Sequence, residues 1–183
     1  MTTKKHKLTV DNFPPYAFAF YGVAIDEAAR LAVRSFMEFC EAIEDGSSEA
    51  EAAGLLHDAV NHCAALSRFF WPSPRAGKVA EYRGQQLCKI YGVPDDSPLN
   101  NRDLRNHLEH LDEKIDQWLA FDPVGPILPG AIFDSYTICD EGFGHAFKII
   151  DIENEVYVVM GNKFEFGPLS RAAVDICLKE GCI

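Results

Sequence analysis

The sequence predicts a mainly α protein: an up-and-down bundle of about four helices, followed by a small C-terminal antiparallel β-sheet and a closing helix. Three observations carry that prediction. Apolar residues recur at helical spacing through four segments before residue 121. The connections between those segments are short and built from Gly, Ser, Asp and Pro. From "FDPVGPILPG" onward the pattern changes to short runs of β-branched and aromatic residues. The division that follows is a flexible tail at 1–12, a helical bundle at 13–122 and an α+β extension at 123–183. The extension is too small to hold a core of its own and is expected to pack on the bundle.

The tail carries Lys4, Lys5 and Lys7 with no apolar periodicity, as a frayed terminus does. Ile25, Ala29, Ala32, Phe36, Cys40 and Ile43 form the apolar stripe of a first long helix ending near "EDGSS". Ser48, with Glu51 three residues on, is a capping box that opens the second helix. Its stripe runs Leu56, Ala59, Val60, Cys63, Leu66 and Phe70 until "WPSPR" stops it. The third helix, about Gly77 to Tyr91, carries Val79, Leu87, Ile90 and Tyr91. Ser97 and Pro98 supply a cap and a first-turn proline for a fourth, whose stripe is Leu104, Leu108, Leu111, Ile115 and Leu119. In the extension, "AIFDSYTIC", "HAFKIID", "VYVVMG" and "NKFEF" read as strands, the last two joined at Gly161-Asn162. Pro168 to Lys179 reads as the closing helix.

A net charge of −11 excludes broad, sequence-independent binding to phosphate backbones over the whole surface. The charge is uneven. Asp26 to Glu51 holds eight acids against Arg30 and Arg34, whereas Arg68 to Lys89 holds five bases against Glu81. The longest apolar stretch, Phe13 to Ile25, contains Pro14 and Pro15 and is too short to cross a bilayer, so no membrane association and a cytoplasmic location are expected. The six cysteines show no CxxC spacing and read as reduced and mostly buried, with Cys182 as the exposed one. "GNKFEFG" and "GFG" lack the context of a dinucleotide or P-loop site. Phe69, Phe70 and Trp71 read as core rather than as a base-stacking platform.

Chemistry concentrates in "RNHLEH", Arg105 to His110. On one continuous helix Arg105 and His110 fall about 140° apart, on opposite shoulders of an exposed face. A second copy of the helix across a twofold axis would bring them together. His107 and His110, about 60° apart, form the one chelating pair that a helix offers. His57 and His62 in "HDAVNH" lack the i,i+4 spacing of a zinc-binding HExxH helix, and His62 reads as a core-edge histidine.

An Arg, then a polar residue, then a His four positions further on resembles the motif of the HEPN superfamily of helical bundles, and the four expected helices stand in the same order, the motif in the early part of the last. That resemblance implies a homodimer with a metal-independent ribonuclease site. His110 would move protons at the ribose 2′-OH and leaving oxygen, Arg105 would stabilise charge on the phosphate, and Asn106 would orient them. Arg68, Arg75, Lys78 and Arg83 would hold the RNA, no cofactor would be needed, and an antitoxin-type protein would be a partner. Many members of the superfamily are noncatalytic, so the alternative is a nucleotide-, RNA- or protein-binding helical module. A metal-binding bundle using His107 and His110 is the third reading.

Overall fold

The computed structural model describes residues 7–121, 128–140 and 145–179. Two long helices, α1 (Ala17–Glu44) and α2 (Glu49–Phe70), form the base of the molecule. Ala29, Ala32, Ala52 and Ala59 are fully buried, and small side chains of this kind let two helix backbones approach closely. Ser48 caps α2 as expected, its hydroxyl accepting the Glu51 N–H at 3.2 Å. The α1 stripe is offset from the expected one: Phe39 and Ala42 are buried beside Phe36, while Cys40 faces outward as an exposed free thiol.

A 3₁₀ turn (Pro74–Ala76) leads into α3 (Lys78–Tyr91), which ends at Gly92 with φ +57°, a left-handed position that glycine adopts without strain. The Lys179 ammonium donates to the Tyr91 carbonyl just before it, tying the last helix to α3.

The expected fourth helix is two helices. α4 (Arg102–Glu109) begins four residues later than Ser97 and Pro98 suggest, with Asn101 as its cap: Asn101 Oδ1 accepts the Leu104 N–H at 2.8 Å. Ser97 instead closes a turn, its carbonyl accepting the Asn100 N–H at 2.8 Å. The helix breaks at His110 (φ −118°, ψ 40°), and α5 (Leu111–Leu119) follows as a separate helix. The continuous stripe is therefore lost. Leu104 is buried, Leu108, Leu111 and Ile115 are half-buried, and Leu119 is exposed.

The extension forms a four-stranded sheet in the order β1 (Ala131–Ile132), β2 (Lys148–Asp151), β3 (Val156–Val159), β4 (Asn162–Glu165). It is antiparallel except at β1, which runs parallel to β2. "SYTIC" is not strand; Tyr136–Asp140 is a 3₁₀ turn. The β3–β4 turn is Met160-Gly161, both at positive φ as a two-residue hairpin turn requires, one residue before the expected position. Helix α6 (Phe166–Lys179) closes the chain against α1.

All four β3 residues are buried because both faces of the sheet are covered. Tyr157 and Val159 join the helical core with Ile150, Phe164, Ala173 and Ile176. Val156 and Val158 point the other way, onto Phe133, Tyr136 and Ile138. One continuous core thus joins the extension to the bundle. Most of "DEGFG", most of "FDPVGPILPG" and Cys182 lie outside the described residues.

Candidate functional site

A cleft of about 1070 Å³ opens between the outer face of α3, the Phe70–Pro74 segment and the start of α4. Local sequence makes each wall. Pro72 and Pro74 end α2, and the Ser73 hydroxyl accepts the Arg75 N–H at 3.4 Å, so the chain turns at once into α3. The Asn101 cap fixes where α4 starts and hence where Arg102 and Arg105 project. These two, at i and i+3, share a helix face and both line the cleft.

Arg105 is the central group. It is only 6% exposed, which for an arginine calls for a partner. Its Nη1 donates to the Trp71 carbonyl at 2.7 Å, closing the end of α2. The rest of its fork makes no hydrogen bond or ion pair among the described residues and is open to the cleft. Burial pushes the guanidinium pKa below the usual arginine value, Glu109 opposes this, and Arg102 and Arg68 add to it. An arginine so placed stays cationic at neutral pH. Lys78, Lys89 and Arg102 also line the cleft without an ion pair among the described residues, and Glu81 and Asp95 are the two carboxylates on its walls. Half-buried Trp71 and the edge of Phe70 supply apolar surface.

Comparison with protein-family models, curated proteins and solved structures finds no match.

The structure distributes the expected site residues differently from a single motif face. Arg105 is buried, not on an exposed shoulder, because α4 turns it toward the end of α2. Asn106 and His110 are exposed on the outside, and the Asn106 carbonyl accepts the His110 N–H at 3.2 Å. His110 Nδ1 lies 3.6 Å from Glu113, a solvent-facing pair. His107 points inward against Phe164, ring centroids 5.6 Å apart, so the helix break sends His107 and His110 to different environments and they form no chelating pair.

Of the expected RNA-holding residues, Lys78 lines the cleft and Arg75 is exposed on the adjoining turn. Arg68 pairs with Glu109 at 2.6 Å, replacing the Arg105–Glu109 pair that helical spacing suggests. Arg83 serves the fold: its Nη2 donates to the Arg68 carbonyl at 3.3 Å and its guanidinium sits 5.1 Å from the Tyr21 ring centre. Sequence reasoning passes over Arg102, counts Lys89 only as part of the basic run, and reads Trp71 as core, against which it packs half-buried while also lining the cleft. The i,i+3 spacing of Arg102 and Arg105 was the available signal.

A second polar cluster lies where α2 meets the sheet. His57 Nδ1 and the buried Tyr157 hydroxyl are 3.0 Å apart, the hydrogen bond that pins α2 to β3. Burial, with Lys148 and His107 nearby and Asp58 opposing them, lowers the His57 pKa to about 4. Burial likewise lowers that of His107. Both rings are therefore neutral in the fold, and the unfolded chain binds their protons more readily. The contribution of each is complete above the ordinary histidine pKa of about 6.5 and is lost as pH falls below it, that of His57 down to about 4. The midpoint of urea unfolding is expected to fall across that window, and less steeply in His57→Gln. An equally steep decline in the variant would remove His57 as the cause. Among the described residues no three His, Cys, Asp or Glu side chains are grouped to hold a metal ion, and no helix is long and apolar enough to cross a membrane.

Proposed function

We propose that the chain is a binding module for RNA or nucleotides, with the ligand in the cleft between α3 and α4. The supporting observation is Arg105: a guanidinium held almost out of solvent by the Trp71 carbonyl, with its remaining donors open to a cleft that holds three more cations without an ion pair among the described residues. A planar fork with free N–H groups suits phosphate oxygens, and Trp71 beside it suits a base. The cleft concentrates positive charge on a protein whose net charge is −11, so an anion is directed there rather than spread over the surface.

Arg105→Met is expected to weaken nucleotide or RNA binding by about 10- to 100-fold, the scale of a lost charge-assisted hydrogen bond. Arg105→Lys keeps the charge without the fork and should fall between. His110→Ala should bind as the unchanged protein does. Titration calorimetry on variants with native circular dichroism measures this, and equal affinity in Arg105→Met sinks the reading.

The second reading is the metal-independent ribonuclease, and exposed Asn106 and His110 favour it, since both are accessible to a second copy. In that homodimer one protomer's His110 would meet RNA held by its partner's cleft. Cleavage in EDTA that leaves a 2′,3′-cyclic phosphate and is lost in His110→Ala is its expected signature. Binding without cleavage leaves the module alone.

A further inference from the structure

The cleft has a shape as well as a charge. Lys78, Glu81, Gln85 and Lys89 recur at i, i+3, i+7 and i+11, so they form one stripe along α3, and all four line the cleft. The cleft is therefore a groove running the length of that helix. From Lys78 to Lys89 it extends about 16 Å at the rise of an α-helix. Stacking on Trp71, which lines it, needs a base whose face is free, and a paired base inside a duplex does not offer one. A mononucleotide occupies only a fraction of its length.

We infer that the groove binds an unpaired strand of nucleic acid, about five stacked nucleotides at roughly 3.4 Å each. This rests on the nucleic-acid reading above and specifies its ligand. Lys78 and Lys89 stand at the two ends, Arg102 and Arg105 line the opposite wall, and Trp71 offers a ring face for stacking. Cations along a groove with an aromatic platform are how proteins hold single strands without reading sequence. Glu81 and Asp95 also line it, so its positive excess is modest and its affinity falls with salt along a shallow slope.

The test uses the whole chain and fluorescence anisotropy with a labelled uridine hexanucleotide, the same hexanucleotide annealed to its complement, and UMP as competitor. The single strand is expected to bind at least about 30-fold more tightly than UMP and at least about 10-fold more tightly than the duplex. Its affinity should decline with salt at a logarithmic slope no steeper than about −3, the limit for four neutralised phosphates. Lys78→Glu and Lys89→Glu change exposed side chains at opposite ends, so both should fold and each should lower hexanucleotide affinity by several-fold. If UMP or the duplex binds as tightly as the single strand, or if only one end matters, the inference of a strand-long groove fails while the nucleotide-binding reading stands. If none of the three binds, or if poly-glutamate binds in their place, both fail.

Discussion

Gly84→Ala is expected to destabilise the protein by about 3 kcal/mol, against the direction that helix propensity gives. Within a helix the change from Gly to Ala ordinarily gains up to about 1 kcal/mol. At Gly84 the added Cβ would stand 2.3 Å from the Phe70 carbonyl oxygen and 2.8 Å from Pro72 Cδ. The first of these is backbone at the end of α2, already held by the turn into α3, so it cannot swing away as a flexible side chain would. Overpacking of this kind costs about 1–3 kcal/mol and more where the backbone must shift. Gly54 in α2 is the control: a Cβ there meets nothing within 4 Å, and Gly54→Ala should gain up to about 1 kcal/mol. Urea unfolding of the two variants measures the difference in sign. The Gly84 contact also sets the near wall of the cleft, because Phe70 and Pro72 both line it. Even folded Gly84→Ala protein should therefore bind its ligand less tightly. A neutral or stabilising Gly84→Ala would show that α2 and α3 do not approach so closely.

The long helices were legible because their signals are local and repeated. Ser48 with Glu51, the apolar stripe of α2 and the glycine after Tyr91 each mark a boundary by backbone chemistry alone. The break at His110 was not legible. No Gly or Pro occurs between Asn101 and Leu119, and each half is helical in its own right. Tertiary contacts decide it: Arg105 reaches the Trp71 carbonyl, Glu109 reaches Arg68, and His107 packs on Phe164. Those partners are 34, 41 and 57 positions away in sequence, beyond the reach of any periodicity argument. The same contacts explain the site. Helical arithmetic placed Arg105 on an exposed shoulder because it assumed one straight helix, whereas the shorter α4 turns that side chain into a cleft. The basic run from Arg68 to Lys89 was visible, but its members separate in three dimensions. Lys78 and Lys89 line the groove, Arg68 neutralises Glu109, and Arg83 braces the end of α2.

Asp151→Ala is expected to cost about 3 kcal/mol or more, and the reason lies in what a buried carboxylate holds together. Asp151 ends β2 and has no solvent exposure. Its Oδ2 accepts the Tyr136 N–H at 2.9 Å and the Asn154 side-chain amide at 2.8 Å, while Oδ1 accepts the Asn154 N–H at 2.8 Å. One residue thus fixes both the β2–β3 turn and the 3₁₀ turn that covers the outer face of the sheet. Alanine removes the charged acceptor of three part-buried hydrogen bonds, each contributing about 1.5–3 kcal/mol. Asp151→Asn is also expected to be unfavourable, since its amide nitrogen must replace one acceptor with a donor facing N–H groups. Burial pushes the Asp151 pKa up, but the hydrogen bonds from Asn154, Tyr136 and Glu153 outweigh it and hold the carboxyl below its usual value. The contribution is therefore complete above the ordinary carboxylate value of 3.8 and is lost as pH falls through the lower folded value. Acid unfolding should show two separate limbs, one between about 6.5 and 4 from His57 and one below 3.8 from Asp151. In Asp151→Asn the lower limb should shrink while the upper one persists. Neither Tyr136 nor Asn154 lines the cleft, so ligand affinity well below the unfolding temperature should be unchanged in this variant. A loss of affinity there, with the fold intact, would mean that the sheet helps shape the binding groove.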